Sequence, residues 1–232
     1  MEPAQEEEKQ LMHIPLWKKW VSHVVPLTLE TAASEQNPEL TVMLDRGRLQ
    51  LLSGNAIYSW DDLYHNFTIA FGTLDIEERG FQDVLILGLG LGSVPYILEK
   101  IYEQSYEYTA VEWDETVAAL AAKYTLSRLS SPVNIVTADA GVFLEVTEEQ
   151  FDMIVVDIFE DDRTPDQFET VDFLEICAEH LKPKGIILYN RLHNSPRNII
   201  ATQRFFEDKF KTVFPAAGKI DTGGNWILIN ES

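Results

Sequence analysis

Cysteine is nearly missing from this chain: Cys177 is the only one in 232 residues, so no internal disulfide can form. A disulfide-stapled secreted scaffold is thereby excluded, and a reducing, cytoplasmic setting with a packed core thiol is expected. Positive charge is also scarce. Eighteen Lys and Arg face 38 Asp and Glu, a formal charge of −20, which opposes sequence-independent binding to phosphate backbones and suits a small cationic partner. No apolar run is long enough to cross a bilayer, and the first ten residues are acidic where a secretory leader is basic and then apolar, so no membrane association is expected. The histidines at 13, 23, 65, 180 and 193 have no ligand spacing with Cys177 or with paired acids, so no metal site is expected.

What is present divides in two. Residues 1–75 read as a tail and a small β-rich hairpin lobe with a linking helix, and 76–232 as a Rossmann-like α/β domain with a doubly wound, mostly parallel sheet. After a polar tail, His13 to Trp20 is amphipathic through Ile14, Leu16, Trp17 and Trp20. Val24 to Leu29 and Leu40 to Leu44 read as strands around a Ser34 to Glu39 turn. Asp45-Arg46-Gly47 is a hairpin signal into Arg48 to Leu52, and Ser53-Gly54-Asn55 leads to Ala56-Ile57-Tyr58. Asp61 and Asp62 open a helix carrying Leu63, Phe67, Ala70 and Phe71.

In the second part strands and helices alternate. Asp83 to Gly88 predicts a strand, followed by a helix from Ser93, a strand over Tyr106 to Glu112, a helix from Asp114 to about Leu126, and a strand over Val133 to Thr137. A short helix through Leu144 precedes the strongly apolar strand Asp152 to Asp157. Phe168 to Leu181 predicts a helix, broken at Lys182-Pro183-Lys184-Gly185 before the strand Ile186 to Tyr189. One more helix over Asn198 to Phe210 precedes an expected antiparallel pair of Thr212 to Pro215 with Trp226 to Ile229.

In an open α/β sheet the ligand crevice lies beyond the carboxyl ends of the strands, so polar residues there are examined first. Gly88, Gly90 and Gly92 let the backbone come close to a nucleotide or nucleoside, though the same turn could serve only to join strand and helix. Glu112, ending the next strand, has the spacing of a ribose-binding acid. Asp139, beside the small Ala140, either accepts from an adenine amino group or caps the following helix. Asp157 runs into Ile158-Phe159-Glu160-Asp161-Asp162, where neighbouring acids would raise its pKa and hold a cation, a setting for taking a proton from an amine. Ser93 is not the central residue of a nucleophile elbow, and it stands at the third glycine of a dinucleotide fingerprint; neither a serine hydrolase nor a nicotinamide dehydrogenase is favoured.

Val84 to Ser93, Val111-Glu112-Trp113-Asp114, Thr137-Ala138-Asp139-Ala140 and Phe151 to Asp157, followed by Pro165, Leu181-Lys182-Pro183 and Asn190, carry a resemblance. Together they resemble the spermidine synthase-like branch of the class I S-adenosylmethionine-fold transferases. The resemblance implies a donor of S-adenosylmethionine or decarboxylated S-adenosylmethionine type, held by Gly88, Gly90, Gly92, Glu112, Asp139 and Ala140. It further implies Asp157 as base, with Glu160 meeting an amine acceptor. Tyr58-Ser59-Trp60-Asp61-Asp62 corresponds to the family segment that lines the site from the amino-terminal lobe. Leu91 stands where aminopropyltransferases carry an acid for the donor's terminal ammonium, which shifts weight toward methyl transfer. Trp60 replaces an expected tyrosine, and Asp157-Ile158-Phe159-Glu160 replaces the family's Asp-Ser-Ser-Asp. Aminopropyl transfer, methyl transfer and a catalytically silent nucleoside-binding module remain the alternatives. A homodimer is expected, burying the β lobe and the Ile14 to Trp20 stretch.

Overall fold

Val84, Leu85, Ile86 and Leu87 are all fully buried, which requires cover on both faces of the strand they form. A computed structural model describes residues 14–54, 56–160 and 163–231 and provides that cover. Expectations for the amino-terminal tail, His13, Asn55, Asp161 and Asp162 lie outside the described residues. The amino-terminal part contains α1 (Leu16–Ser22), β1 (Leu27–Ala32), β2 (Leu40–Asp45), β3 (Arg48–Ser53), β4 (Ala56–Ser59) and α2 (His65–Thr73). The remainder runs β5 (Asp83–Leu87), α3 (Ser93–Lys100), β6 (Glu107–Glu112), α4 (Glu115–Tyr124), β7 (Val133–Thr137), α5 (Ala140–Val146), β8 (Phe151–Val156), α6 (Val171–Glu179), β9 (Leu181–Leu192), α7 (Pro196–Phe205), β10 (Gly218–Asp221) and β11 (Asn225–Ile229).

The large sheet has the order β10-β11-β9-β8-β5-β6-β7. Strands β5 to β9 are mutually parallel, with β11 antiparallel to β9 and β10 antiparallel to β11. Val84 and Ile86 pack on one side with Phe67, Phe71, Ile97 and Leu98; Leu85 and Leu87 pack on the other with Leu144, Leu174 and Phe210. Each such fully buried aliphatic side chain contributes about 1.5–3 kcal/mol, so β5 is the anchor of both layers. The order reverses direction at β5, between β6 on one side and β8 on the other, which places the crevice at their carboxyl ends.

The small sheet, β1-β2-β3-β4, is wholly antiparallel. Its hairpin at Arg46-Gly47 has both residues at positive φ, 50° and 74°, the twist a two-residue connection requires. Leu40, Val42, Leu44, Leu49 and Leu51 form its core together with Leu91, Val117, Leu120 and Tyr124 from the large unit. A buried ion pair joins the same two parts. Asp61, 2% exposed and at φ 34°, accepts from both terminal nitrogens of Arg128 (2.7 and 3.2 Å) and from the Leu49 amide (3.0 Å). The guanidinium lies 4.4 Å from the Tyr96 ring centroid. Burial, opposed by Arg128, leaves the Asp61 carboxyl above its ordinary pKa.

The carboxy-terminal expectation is corrected. Trp226 to Ile229 does form an edge pair, but with Gly218–Asp221, while Thr212 and Val213 continue the helix. The local β-branched preference of Thr-Val loses to packing: α7 extends through a π-helical turn, Phe206–Phe210, and aligns Phe206, Phe210 and Phe214 against the sheet. Pro215, lacking an amide donor, follows the end of that helix. Among the described residues, no helix is long and apolar enough to cross a membrane, and no group of three or more His, Cys, Asp and Glu side chains is placed to hold a metal ion.

Removing Arg128 would leave Asp61 charged and buried with only a backbone donor. Arg128→Met is therefore expected to destabilise the protein by about 3–5 kcal/mol in urea unfolding, and a loss under about 1 kcal/mol would show that the pair does not hold the two parts together.

Candidate active site

A cavity of about 710 Å³ opens at the carboxyl ends of β5, β6 and β8, roofed by residues of the small sheet. Its floor is the glycine turn. Gly88 has φ 90°, and a Cβ there would overlap the Asp157 carbonyl, so the exits of β5 and β8 run in backbone contact. The Asp157 amide donates to the Leu87 carbonyl at 2.8 Å and the Gly88 amide to that of Val111 at 2.9 Å. Gly90, at φ 53°, lies against the backbone of Tyr58, and Gly92, at φ 90°, against Leu126. Glycine adopts such positive angles freely, whereas other residues rarely do.

Glu112 reaches back across this turn. Its Oε2 accepts from the amides of Leu89 (3.0 Å) and Gly90 (3.1 Å), and its Oε1 from the amide of Asp114 (3.1 Å). A carboxylate offers about four acceptor positions, so about one remains for a ligand hydroxyl. Burial raises the Glu112 pKa against those three donors. Asp114 caps α4 through the amides of Thr116 and Val117, and its other oxygen accepts from Ser34 and from Asn37 Nδ2 at 2.6 Å. The Ser34 to Glu39 turn is thereby drawn over the cavity, which Gln36, Asn37 and Pro38 line.

Two loop residues of the glycine stretch face away from that cavity. Leu91 is 1% exposed, in the cluster shared with Leu40 and Tyr124. Ser93, at the third-glycine position, is hydrogen bonded through its hydroxyl to Ser59 Oγ (2.6 Å) and the Trp60 amide (3.0 Å). Of the Tyr58 to Asp62 segment, Tyr58 lines the cavity, whereas Ser59, Trp60 and Asp61 secure the lobe and Asp62 pairs with Arg48. Asp139 caps α5 through the amides of Gly141 (2.8 Å) and Val142 (3.1 Å), and its second oxygen accepts from Gln167 Nε2 at 2.8 Å. Its neighbours Ala138 and Ala140 line the cavity.

Asp157 follows four fully buried residues, Met153 to Val156, and presents its carboxyl to the cavity. Its Oδ1 accepts from Asn190 Nδ2 (2.8 Å) and from the Tyr64 hydroxyl (3.2 Å). Burial pushes the carboxyl up to about 7; the two donors oppose the rise, and the nearby Glu112 charge adds to it. Among the described residues the causes of the rise are burial and an acid across the sheet, Glu112. Glu160 lies on the exposed rim, its backbone paired with Arg163 and its carboxylate 3.7 Å from that guanidinium. Tyr64 and Asn225 were not among the sequence candidates. Tyr64 stands at the entrance to α2, off its apolar spacing, and Asn225 carries no local signal beyond following Gly223-Gly224. Among the described residues, the charged side chains lining the cavity are Glu112, Asp114, Asp157 and Glu160; no Lys, Arg or His lines it.

The chain is 32% identical over 109 residues to a probable polyamine aminopropyl transferase of Bifidobacterium longum, covering 47% of this chain and 24% of that protein. It is 30% identical over 117 residues to a polyamine aminopropyltransferase of Vibrio vulnificus, covering 49% and 39% respectively. The chain thus spans well under two thirds of these curated relatives. The fold is similar to that of spermidine synthase from Thermotoga maritima, with a TM-score of 0.67 at 17% identity, over 88% of this chain and 72% of that one. The sequence model of the spermine/spermidine synthase domain matches residues 62–220, from the segment that joins the small sheet to α2 through to β10. By that match, which takes in the glycine turn, Glu112, Asp139, Asp157 and Glu160, the chain belongs to the spermine/spermidine synthase domain family.

Proposed function

We propose that this chain transfers an aminopropyl group from decarboxylated S-adenosylmethionine to a small amine, with Asp157 as the base. The observation that carries the reading is the all-acidic charge of the cavity lining. A cationic donor and a cationic amine gain from it, whereas the carboxylate of ordinary S-adenosylmethionine would enter beside Glu112, Asp114 and Asp157 with no described Lys, Arg or His lining the cavity to meet it. Methyl transfer, favoured by Leu91 when that residue is taken as facing the donor, loses its support because Leu91 packs against the small sheet. The names of the curated relatives point the same way.

Gly88 and Gly90 bring backbone to the donor, Gly92 turns the chain into α3 away from the cavity, and Glu112 offers its remaining acceptor position to a ribose hydroxyl. Ala138 and Ala140 leave room for a flat ring, with Asp139 setting the α5 backbone beneath them. Asp157 holds the amine and takes its proton as nitrogen attacks the carbon beside the sulfonium. The C–N bond forms, the C–S bond breaks with its electron pair returning to sulfur, and a neutral thioether leaves. A carboxyl raised to about 7 is a better base than an ordinary one while still half ionised near neutrality. Glu160 attracts the acceptor from the rim. The division at 75/76, a homodimer, a cytoplasmic location and the exclusion of nucleic acid belong to the same proposal, the last supported by the −20 charge.

Because Tyr64 and Asn190 both donate to the same oxygen of Asp157, Asp157→Asn can keep both bonds. Turnover with decarboxylated donor and a diamine or monoamine panel is expected to fall about 100- to 10,000-fold; unchanged turnover would remove Asp157 from the base role. The folded state keeps a proton on Asp157 up to about pH 7 that the unfolded chain releases near 4, so wild-type stability should fall across that window and stay low above it. Asp157→Asn should abolish this fall and be more stable at pH 8 by on the order of 2 kcal/mol, measured by urea unfolding.

A further inference from the structure

The amide of Asn190 has two unlike ends, and only one of them suits a carboxylate. With Nδ2 toward Asp157 Oδ1, as observed at 2.8 Å, the contact stabilises the ionised base. Rotated by half a turn, the amide would set its oxygen against the carboxylate oxygen, two acceptors with no hydrogen between them. Asn190 is 1% exposed, so water does not settle the choice. A second amide does: Asn225 Nδ2 donates to Asn190 Oδ1 at 2.7 Å.

Asn225 is well placed for this. It is 8% exposed and begins β11, paired with Leu192 of β9, so the residues on either side of the Asn190–Asn225 contact are held by the sheet. Its carbonyl accepts from both the amide (3.0 Å) and the hydroxyl (2.9 Å) of Thr222, and the Gly224 carbonyl accepts from the His193 amide at 2.8 Å. Thr222 also reaches Asn66 Oδ1 at 3.1 Å, tying the β10–β11 turn to the cavity wall formed by α2. The titratable groups facing Asp157 are Tyr64 from the start of α2 and Glu112 from the end of β6; on its own loop, Glu160 points to the rim beside Arg163.

We propose that Asn225 is a positioning residue: by donating to Asn190 Oδ1 it fixes the neighbouring amide with its N–H toward Asp157 and keeps that carboxylate available as an acceptor. Asn225 acts through Asn190, and its effect is on the protonation of Asp157 and only through that on turnover. The kinetic part rests on Asp157 being the base; the titration part does not.

The test is the titration of Asp157 in the full chain, followed by carbon-13 NMR of labelled aspartate carboxyls, with the Asp157 signal assigned by its loss in Asp157→Asn. In Asn225→Leu the midpoint should rise by about one pH unit, because the donor favouring the charged form is no longer held in place. Asn225→Ala, which removes the same donor without adding bulk, carries the same expectation should the leucine variant fail to fold. Asn225→Gln, which keeps an amide donor, should return the midpoint toward wild type. The acid limb of the turnover–pH profile should move up with the midpoint. An unchanged midpoint in both donor-less variants overturns the proposal, as does a lowered plateau with an unmoved midpoint. If no donor supports turnover in the wild type, the proposed activity fails, while the midpoint still decides the role of Asn225.

Discussion

Asp157 carries a charge at the end of a strand whose four preceding residues are fully buried, and the arrangement around it follows from how that burial is offset. Two donors, Tyr64 and Asn190, meet one of its oxygens from opposite ends of the chain, 93 and 33 residues away in sequence. They do not cancel the cost of burial, and the residual shift to about 7 fits the base role proposed for this carboxyl. The backbone of Asp157, just past β8, lies against Gly88, so the glycine turn and this carboxyl are set in direct backbone contact.

The small sheet is part of this site. Ser93 bonds to Ser59 and Trp60, Leu91 fills the cluster under Leu40, and Arg128 meets Asp61. Ser93 and Leu91, in the glycine stretch, are thus taken up by the contact with the small sheet. Asn37 on Asp114 completes the link above the cavity. The roof is consequently set by the same α4 cap that follows Glu112.

The fold was legible because its signals are local and repeated. An uninterrupted apolar run into a glycine turn, an acid ending the next strand and the alternation of strand and helix leave few arrangements open. The hairpin at Arg46-Gly47 announced itself by its turn chemistry. What could not be read depends on contacts between distant segments. The direction in which Leu91 points is decided by a lobe some 40 residues earlier, and Thr212-Val213 is helical because phenylalanines before it need the sheet. Tyr64 and Asn225 join the site only through three-dimensional placement, and the rise in the Asp157 pKa comes, among the described residues, from burial and from Glu112, 45 residues earlier in sequence.

The central claim is that a cavity whose charged lining, among the described residues, is acidic selects a donor lacking a carboxylate. Calorimetric binding of decarboxylated S-adenosylmethionine and of S-adenosylmethionine to the full chain, at pH 8 and low salt, tests it most directly. The account expects the decarboxylated form to bind at least about tenfold more tightly, a difference of about 1.4 kcal/mol. Equal affinities, or tighter binding of the carboxylated donor, would contradict it.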